Sequence, residues 1–259
     1  MRRAFVVLAA FGCAAGVCQS NYPAEPSIGA QVRASATQLI DAHRRWGPGE
    51  NSPGANLSLK ELSRERGKVV YAMYSTGLPR DRVYDSVEWP VTLDAPRVNL
   101  PGVTFDSSGR AVCAGRPGTC GTPTTPDDPI DLTFFPVKGE PYRLAVVDHD
   151  DPSIRAFIKV VPTPLAQEDG GCRVEAVLLM PHAEILLIEA SGYPPRAELS
   201  FESNSEGEIH NATPSADEAG RYTAAVMPAK AGLTRGVVKV RVVGPRCSPE
   251  VQVPWSAEK

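Results

Sequence analysis

The hydrophobic pattern of the chain consists of short alternating stretches that turn residues separate. Leu57 and Leu59, followed across Arg66-Gly67 by the run VVYAMY at residues 69–74, predict a hairpin. Further strands are predicted at residues 87–93, 102–105, 111–113, 130–135, 142–147 and 154–161. A second series is predicted at residues 173–180, 184–190, 197–202, 208–212, 222–226, 236–243 and 251–255. Alternation over stretches this short is typical of an all-β protein.

A run of turn residues separates the two series of strands. Pro162 and Pro164, followed by Gly170-Gly171, interrupt the pattern, and such residues are common at domain boundaries. We therefore expect an N-terminal β domain at residues 56–165 and a C-terminal domain at residues 172–256. Seven short strands within about 85 residues fit the size and turn spacing of an immunoglobulin-like sandwich. The predicted fold class is all-β, with two β-sandwich-like units of which the C-terminal one is immunoglobulin-like.

Three segments of the C-terminal unit resemble bacterial immunoglobulin-like surface modules. They are EASGYPP at residues 189–195, SADEAGRY at 215–222 and the hydrophobic stretch at 232–243. In such modules a strand ends in Gly-aromatic-x-Pro, an Asp-x-x-Gly turn precedes an aromatic strand, and a glycine-led hydrophobic strand comes late. The ending, CSPEV at 247–251 and Pro-Trp at 254–255, is also similar to that of exported proteins of environmental bacteria. The resemblance covers mainly residues 172–255 and implies a fold but no activity, because such modules serve as spacers, adhesins and enzyme attachments alike.

The N-terminus has the layout of a secretory signal. Met1-Arg2-Arg3 precedes an apolar run at residues 4–17, and the polar segment QSN follows at 19–21. The apolar run has about 14 residues, fewer than the roughly 20 that span a bilayer. We expect residues 1–20 to be a signal peptide that is removed, and no later stretch to form a transmembrane helix in the mature chain. The expected location is the periplasm, the cell surface or the medium.

Two cysteines of the signal region offer an alternative, which is attachment to lipid. Cys13 follows AFG and Cys18 follows AGV. Bacterial lipoprotein signals usually resemble Leu-Ala-Gly-Cys, and Phe11 or Val17 occupies a position where a small residue is expected. Plain cleavage near residues 19–21 is therefore favoured, and a lipid-anchored form stays the alternative.

Residues 21–55 form the expected lead-in to the first domain. They contain four prolines, Pro23, Pro26, Pro48 and Pro53, and only a short helical pattern at residues 36–43. Prolines at this density interrupt regular structure. We therefore predict that the lead-in is partly ordered.

Composition and charge argue against one class of partner. The 259 residues include 22 glycines and 25 prolines, which makes the chain rich in turns, and the formal net charge is -3. Without an excess of positive charge the chain has no broad basic surface. Nucleic acid is therefore not an expected partner.

Four cysteines remain beyond the signal region: Cys113, Cys120, Cys172 and Cys247. An even number of cysteines in an oxidising compartment is normally paired, and three pairings are open. The turn-rich segment AGRPGT between Cys113 and Cys120 favours a local disulfide. Cys172 then pairs with Cys247 and brackets the C-terminal unit. Zinc is disfavoured, because no two of these cysteines have the roughly two-to-four-residue spacing of zinc sites.

The densest group of potential metal ligands is the stretch Asp148-His149-Asp150-Asp151, between two predicted strands. Its oxygen-rich chemistry suits calcium better than zinc, with Asp148, Asp150 and Asp151 as the candidate ligands. The favoured interpretation is a plain turn, because short acidic side chains before Pro152 bond to the local backbone. We expect at most a weak calcium site and no other cofactor. Asp127, Asp128 and Asp131 form a second acidic patch that a loop explains equally well.

No motif of the chain demands a particular reaction. Gly-x-Ser-x-Gly, His-Glu-x-x-His and a phosphate-binding glycine loop are all missing from the sequence, and none of His43, His149, His182 and His210 lies in a nucleophile motif. A hydrolase remains the alternative, with a site assembled in space from scattered acids such as Glu61, Glu65 and Glu88. These acids are more often solvated charges on strands.

The most aromatic region of the first unit contains Tyr71, Tyr74, Tyr84 and Trp89. Such residues form stacking faces for carbohydrate or peptide, but at strand spacing they more often belong to a core. Export, tandem β units and missing catalytic motifs together favour a non-catalytic binding or scaffolding protein of the bacterial periplasm or cell surface. Its expected partner is an envelope protein or a carbohydrate.

Overall fold

The computed structural model describes residues 28–93, 95–115, 120 and 128–256. Apart from one helix and two short 3₁₀ turns, this part of the chain is built from sixteen strands in four antiparallel sheets. The prediction of an all-β fold is confirmed. No helix in the described ranges is long and apolar enough to cross a membrane. Residues 1–27, with the expected signal segment, Cys13 and Cys18, lie outside the described ranges.

The N-terminal unit is a sandwich of two sheets. Its strands are β1 (Asn56–Glu65), β2 (Lys68–Thr76), β3 (Tyr84–Glu88), β4 (Arg97–Phe105), β5 (Ala111–Cys113), β6 (Asp131–Phe134), β7 (Tyr142–Asp148) and β8 (Arg155–Val160). One sheet has the order β1-β2-β6 and the other β5-β4-β3-β7-β8. Met73 of the first sheet and Leu144 of the second lie in the common core and are almost fully buried. The apolar positions of the strand pattern thus face one another between the sheets.

The C-terminal unit is a second sandwich of two sheets. Its strands are β9 (Leu165–Asp169), β10 (Cys172–Leu178), β11 (Leu186–Ser191), β12 (Ser200–Ser205), β13 (Glu208–Ala212), β14 (Tyr222–Val226), β15 (Arg235–Val243) and β16 (Glu250–Ser256). The sheets have the orders β14-β11-β10-β9 and β13-β12-β15-β16. Ile188 and Val240, one from each sheet, are completely buried in the core between them.

Strand β9 lies where the sequence pattern predicted a break between domains. It pairs antiparallel with β10, with Leu165 opposite Ala176 and Asp169 opposite Cys172. Gly170 and Gly171 form the two-residue turn of this hairpin, and both have positive φ, as such turns require. The sequence pattern was interpreted as a linker or domain boundary; in the structure the two glycines form a turn that joins two strands of the C-terminal sheet.

The lead-in contains a longer helix than the sequence predicted, α1 (Ile28–Arg45). Ala36, Leu39 and Ile40 of α1 pack on Val177 and Leu187, which lie on the outer face of the β10-β11 pair. The helix thus covers apolar side chains that the sandwich core does not enclose. This packing stabilises a segment whose own sequence is a weak helix signal.

The segment after α1 is attached to the N-terminal unit. The Trp46 ring packs against Trp89 and Phe157 at centroid distances of 5.6 and 5.2 Å, and its Nε1 donates to the Leu144 carbonyl at 3.2 Å. Ser52 accepts a hydrogen bond from the Arg155 backbone N–H at 2.8 Å. Residues 36–52 therefore contact both sandwiches.

Two disulfides are formed in the structure. Cys113 pairs with Cys120 at a Cα separation of 5.9 Å, and Cys172 pairs with Cys247 at 6.0 Å. These are the pairings expected from the sequence. The second disulfide joins the start of β10 to the segment between β15 and β16, and so links the two sheets of the C-terminal sandwich.

Candidate functional site

The acidic stretch at 148–151 folds as a turn between β7 and β8. Asp148 is nearly buried, and its Oδ1 accepts hydrogen bonds from the backbone N–H groups of Asp150 and Asp151 at 3.0 and 2.8 Å. Its Oδ2 lies 3.3 Å from Nη1 of Arg82. The Asp148 carboxylate is therefore engaged by backbone donors and a guanidinium.

The other side chains of this turn also have local partners. Oδ1 of Asp151 accepts from the hydroxyl and the backbone N–H of Ser153, and these bonds lower the pKa of Asp151. Nδ1 of His149 lies 3.1 Å from Oδ2 of Asp85, whose carboxylate raises the pKa of the imidazole. Within the described ranges, no group of three or more His, Cys, Asp or Glu side chains is placed to hold a metal ion. The weak calcium site stays a prediction, to be tested by titration.

The acids considered for a hydrolase are spread over two sheets. Glu61 and Glu65 belong to β1, whereas Glu88 belongs to β3. Glu61 forms an ion pair with Arg64 and Glu88 with Arg97, each at 2.6 Å. In the second acidic patch Asp131 pairs with Arg110 at 2.8 Å, and Asp127 lies outside the described ranges. Glu61, Glu88 and Asp131 thus each have an arginine partner, and they belong to three different strands.

The aromatic residues of the first unit are mostly enclosed. Tyr71 and Tyr84 lie in the core between the sheets, and the Tyr84 hydroxyl donates to the Pro79 carbonyl at 2.6 Å. Trp89 is covered by Trp46 and by the guanidinium of Arg143, whose central carbon is 4.6 Å from the ring centroid. The core interpretation of these aromatics therefore fits their positions better than a stacking face.

A polar groove of about 800 Å³ lies on the outer face of the β14-β11-β10-β9 sheet, next to the end of α1. Its lining residues are Arg44, Arg173, Glu175, Glu189, Ala190, Ser191, Ser215, Asp217, Arg221, Tyr222 and Thr223. The helix covers the apolar row of Val177 and Leu187, and its last turn reaches the next row only through the side chain of Arg44, so that Glu175 and Glu189 of that row stay half-buried. The groove thus results from the length of α1 and the change from apolar to polar residues along the strands.

The row of Glu175 and Glu189 places side chains of three strands side by side. Glu175 of β10 lies opposite Glu189 of β11, which lies opposite Thr223 of β14. In the following row Arg173 lies opposite Ser191. Neighbouring side chains on one face of a sheet are about 5 Å apart at Cβ, close enough to contact one ligand together.

The arginines of the groove are held in place by neighbouring groups. Nη1 of Arg173 lies 2.9 Å from Glu168 and its Nη2 lies 2.8 Å from Glu175. Nε of Arg221 lies 3.2 Å from Asp217, and Nη2 of Arg44 donates to Oγ1 of Thr223 at 2.8 Å. Three guanidinium groups are therefore oriented around the groove.

Glu189 is the acid of the groove with the fewest protein contacts. Its side chain is half-buried, and among the described residues it has neither an ion pair nor a hydrogen bond. Two glutamates directly opposite each other repel. Here the ion pair with Arg173 neutralises Glu175. Glu189 has a more distant cation, Lys159, whose pKa its carboxylate raises. The groove thus offers one carboxylate whose hydrogen-bonding capacity is unused.

Sequence reasoning did not identify this groove. Its residues come from the end of α1, from β10, β11 and β14, and from the loop before β14, so no short motif contains them. One signal was available, a change from apolar to polar residues on the outward face of two strands. The polar outward residues are Arg173, Glu175, Glu189 and Ser191. Recognising it required the pairing of β10 with β11.

Comparisons with known proteins find remote likenesses of fold. No family model matches the chain, and no curated protein matches it. A solved tetra-tandem repeat from the extending region of a large adhesion protein is similar over 78% of this chain, with 10% sequence identity and a TM-score of 0.26; the chain spans about half (49%) of that structure. A DUF3823 family protein of Bacteroides ovatus is similar over 79% of this chain and 99% of its own, with 7% identity and a TM-score of 0.21. Likenesses this remote assign neither a family nor a ligand.

Proposed function

We propose that this chain is an exported binding protein that holds a neutral oligosaccharide in the polar groove. The observation that carries the proposal is the balance of the lining, in which three arginines face three carboxylates, Glu175, Glu189 and Asp217. A site with this balance attracts neither anions nor cations strongly. It favours a ligand that is polar but uncharged.

Sugar hydroxyls both donate and accept hydrogen bonds, and the groove supplies partners for both roles. The guanidinium groups of Arg44, Arg173 and Arg221 donate, and the Glu189 carboxylate accepts. Because the acids already orient the arginines, less side-chain entropy is lost on binding. The volume of about 800 Å³ is within the range of ligand sites, roughly 300–1,000 Å³.

Two features of the chain support export. The basic start and apolar run of residues 1–17 have the layout of a signal peptide. Both disulfides suit an oxidising compartment such as the periplasm or the cell exterior. In that location the saccharides of the envelope and of the surroundings are accessible to the groove.

The test is a binding screen of the oxidised chain against an array of neutral, acidic and basic oligosaccharides, followed by calorimetry on the best ligand. We expect neutral glycans to be retained. Glu189→Gln keeps an acceptor oxygen but removes its charge; bonds to charged groups contribute about 1.5–3 kcal/mol and neutral ones about 0.5–1.5, so the affinity should fall roughly fivefold to tenfold. The matched control is Glu202→Gln, which changes a half-buried glutamate of β12 in the other sheet and should leave affinity unchanged.

The same experiment separates binding from hydrolysis. Bound glycan is recovered after long incubation and its chain length is measured. An unchanged length supports the binding function. Shortened glycan, with cleavage abolished by Glu175→Gln or Glu189→Gln, would instead establish a glycosidase with this pair of carboxylates. Retention of charged glycans alone, with no neutral ligand, would also overturn the proposal.

A further inference from the structure

A second cavity, of about 350 Å³, lies between the two sandwiches. Its lining is mostly apolar and includes Val91, Leu165, Leu178, Pro181, Val253 and Pro254. Val91 belongs to the N-terminal unit and the other five to the C-terminal unit. Small-molecule sites are commonly apolar clefts at the junction of two units, and this cleft is at the lower end of their size range.

One wall of the cleft is a turn of the N-terminal unit that is bonded to the C-terminal unit. Gly139 donates its N–H to the Thr163 carbonyl at 2.8 Å and accepts from the Leu178 N–H at 2.9 Å. Its φ is +80°, and a Cβ at this position would come within 2.6 Å of methyl groups of Leu165 and Leu178. The positive φ and the close packing favour glycine here, and its two backbone hydrogen bonds attach the turn that carries Glu140 to the C-terminal unit.

The lining of the cleft also contains two residues with strained backbone. His182 and Ala183 have φ of +58° and +60°, although neither is a glycine, and Ala183 is almost fully buried. Each such residue costs about 1–3 kcal/mol and persists only when the surroundings enforce it. Strain of this kind is concentrated at ligand-binding sites, and both residues line this cleft.

Among the described residues that line the cleft, Glu140 is the only acid, and it is 8% exposed. Burial raises its pKa, whereas the backbone N–H of Val137 and the charge of Arg143 act in the opposite direction. No side chain of the described residues forms a hydrogen bond with the carboxylate. Lys138 and His182, the other titratable groups of the lining, are exposed.

We propose that this cleft binds a small amphiphile, an aliphatic body that carries one primary ammonium group. The body fills the apolar lining and the ammonium donates to the Glu140 carboxylate. The hydrogen bond between a buried carboxylate and an ammonium group is strongest when water is excluded from it. The aliphatic body of the ligand excludes water, because it fills the apolar part of the cleft. An anionic amphiphile would place its charge beside Glu140 and is disfavoured. This site is separate from the polar groove, and the inference does not depend on the saccharide proposal.

The probes are hexylammonium, hexanol and hexanoate, which share a six-carbon chain and differ in charge. Each is titrated into the folded, oxidised chain while methyl NMR signals of Leu165, Leu178 and Val253 are followed. We expect hexylammonium to shift these signals and to bind at least about tenfold more tightly than hexanoate, with hexanol between them. Glu140→Gln should reduce the affinity for hexylammonium about tenfold and leave that for hexanol within about twofold.

Two further variants keep the test decisive. Glu184→Gln changes an exposed glutamate just outside the lining and should not alter any of the three affinities. Thr92→Trp places a large ring at an exposed position of the rim and should abolish binding of all three probes, with an unchanged thermal midpoint as proof of folding. Equal affinities for hexylammonium and hexanoate, undiminished hexylammonium binding in Glu140→Gln, or no shift of the cleft methyl signals would each overturn the proposal.

Discussion

Nε2 of His43 lies 2.6 Å from Nζ of Lys159, in a contact that α1 makes with β8. His43 is 1% exposed, and the Lys159 ammonium donates to it, so the imidazole is neutral and uses Nε2 as its acceptor. Burial and then the charges of Lys159, Arg143 and Arg44 lower the pKa of His43 from 6.5 to about 3. Burial lowers the pKa of Lys159 too, and only the charge of Glu189 opposes this. The helix is therefore attached through a neutral histidine among cations.

We predict that acidification destabilises the protein through His43. Between pH 6.5 and pH 3 the unfolded chain binds a proton at this position and the folded chain does not, so the free energy of unfolding falls as pH falls. One pKa unit corresponds to about 1.4 kcal/mol, which gives a loss of at most about 5 kcal/mol over this range. Urea unfolding at intervals from pH 7 to pH 3 measures it.

The control for this prediction is a pair of histidine variants. His43→Gln removes the titrating group and should flatten the pH dependence in this range. His210→Gln changes a histidine with 71% side-chain exposure and should leave the dependence as it is in the parent chain. If the free energy of unfolding of His43→Gln fell with pH as steeply as that of the parent chain, other groups would cause the acid sensitivity.

The strands could be predicted from the sequence because their signal is local. Residues 208–212 and 222–226 were predicted with the bounds that the structure has, since a glycine precedes each short run and a proline follows it. Strand β3 was predicted at residues 87–93 but spans Tyr84–Glu88, so its predicted start is three residues late. Residues 90–93 continue the apolar run of the sequence but lie outside the sheet. Local pattern thus finds a strand more reliably than its end.

The helix and both cavities depend on contacts between distant residues. The apolar stripe of α1, with Ala36, Leu39 and Ile40, is short, and it is stabilised by Val177 and Leu187 more than a hundred positions later. Likewise Glu140 is an ordinary loop glutamate in the sequence, but it is buried in the structure, next to a glycine, Gly139, that lies against Leu165 and Leu178. The hydrophobic periodicity of a segment cannot predict contacts with residues so far away in the sequence.

We predict that Trp46→Ala weakens the attachment of the lead-in. The Trp46 ring is 92% buried against Trp89 and Phe157, and removal of such a ring costs about 3–5 kcal/mol. Denaturant unfolding measures the loss. Met227→Ala, at a methionine that is 43% exposed, should change stability by no more than about 0.5 kcal/mol. Equal effects of the two variants would contradict the packing of Trp46.

We predict that the C-terminal unit folds alone if its fragment includes β9. A fragment of residues 163–256 retains the pairing of β9 with β10, the buried Leu165 and the ion pair of Glu168 with Arg173. A fragment of residues 172–256 lacks all three and should be less stable by at least about 2 kcal/mol, the lower end of the cost of losing a buried leucine. Oxidised fragments are compared by thermal unfolding. A non-cooperative transition in the longer fragment would refute its independence, and equal midpoints would show that β9 contributes nothing.

The last prediction concerns calcium at the turn of residues 148–151, which we expect to bind more weakly than about 1 mM, the weak limit of extracellular calcium modules. Calcium takes six to eight oxygen ligands, and Asp148 Oδ1 already accepts two backbone N–H groups while Arg82 neutralises the same carboxylate. Arg82→Gln removes the competing cation, so its calcium affinity should rise several-fold above that of the parent chain. The matched control, Arg80→Gln, changes an exposed neighbouring arginine that donates to the Ser107 carbonyl, and should have no such effect. Calorimetric titration measures all three chains. Micromolar binding to the parent chain that is lost in Asp150→Asn and Asp151→Asn would show that the turn is a calcium site in its own right.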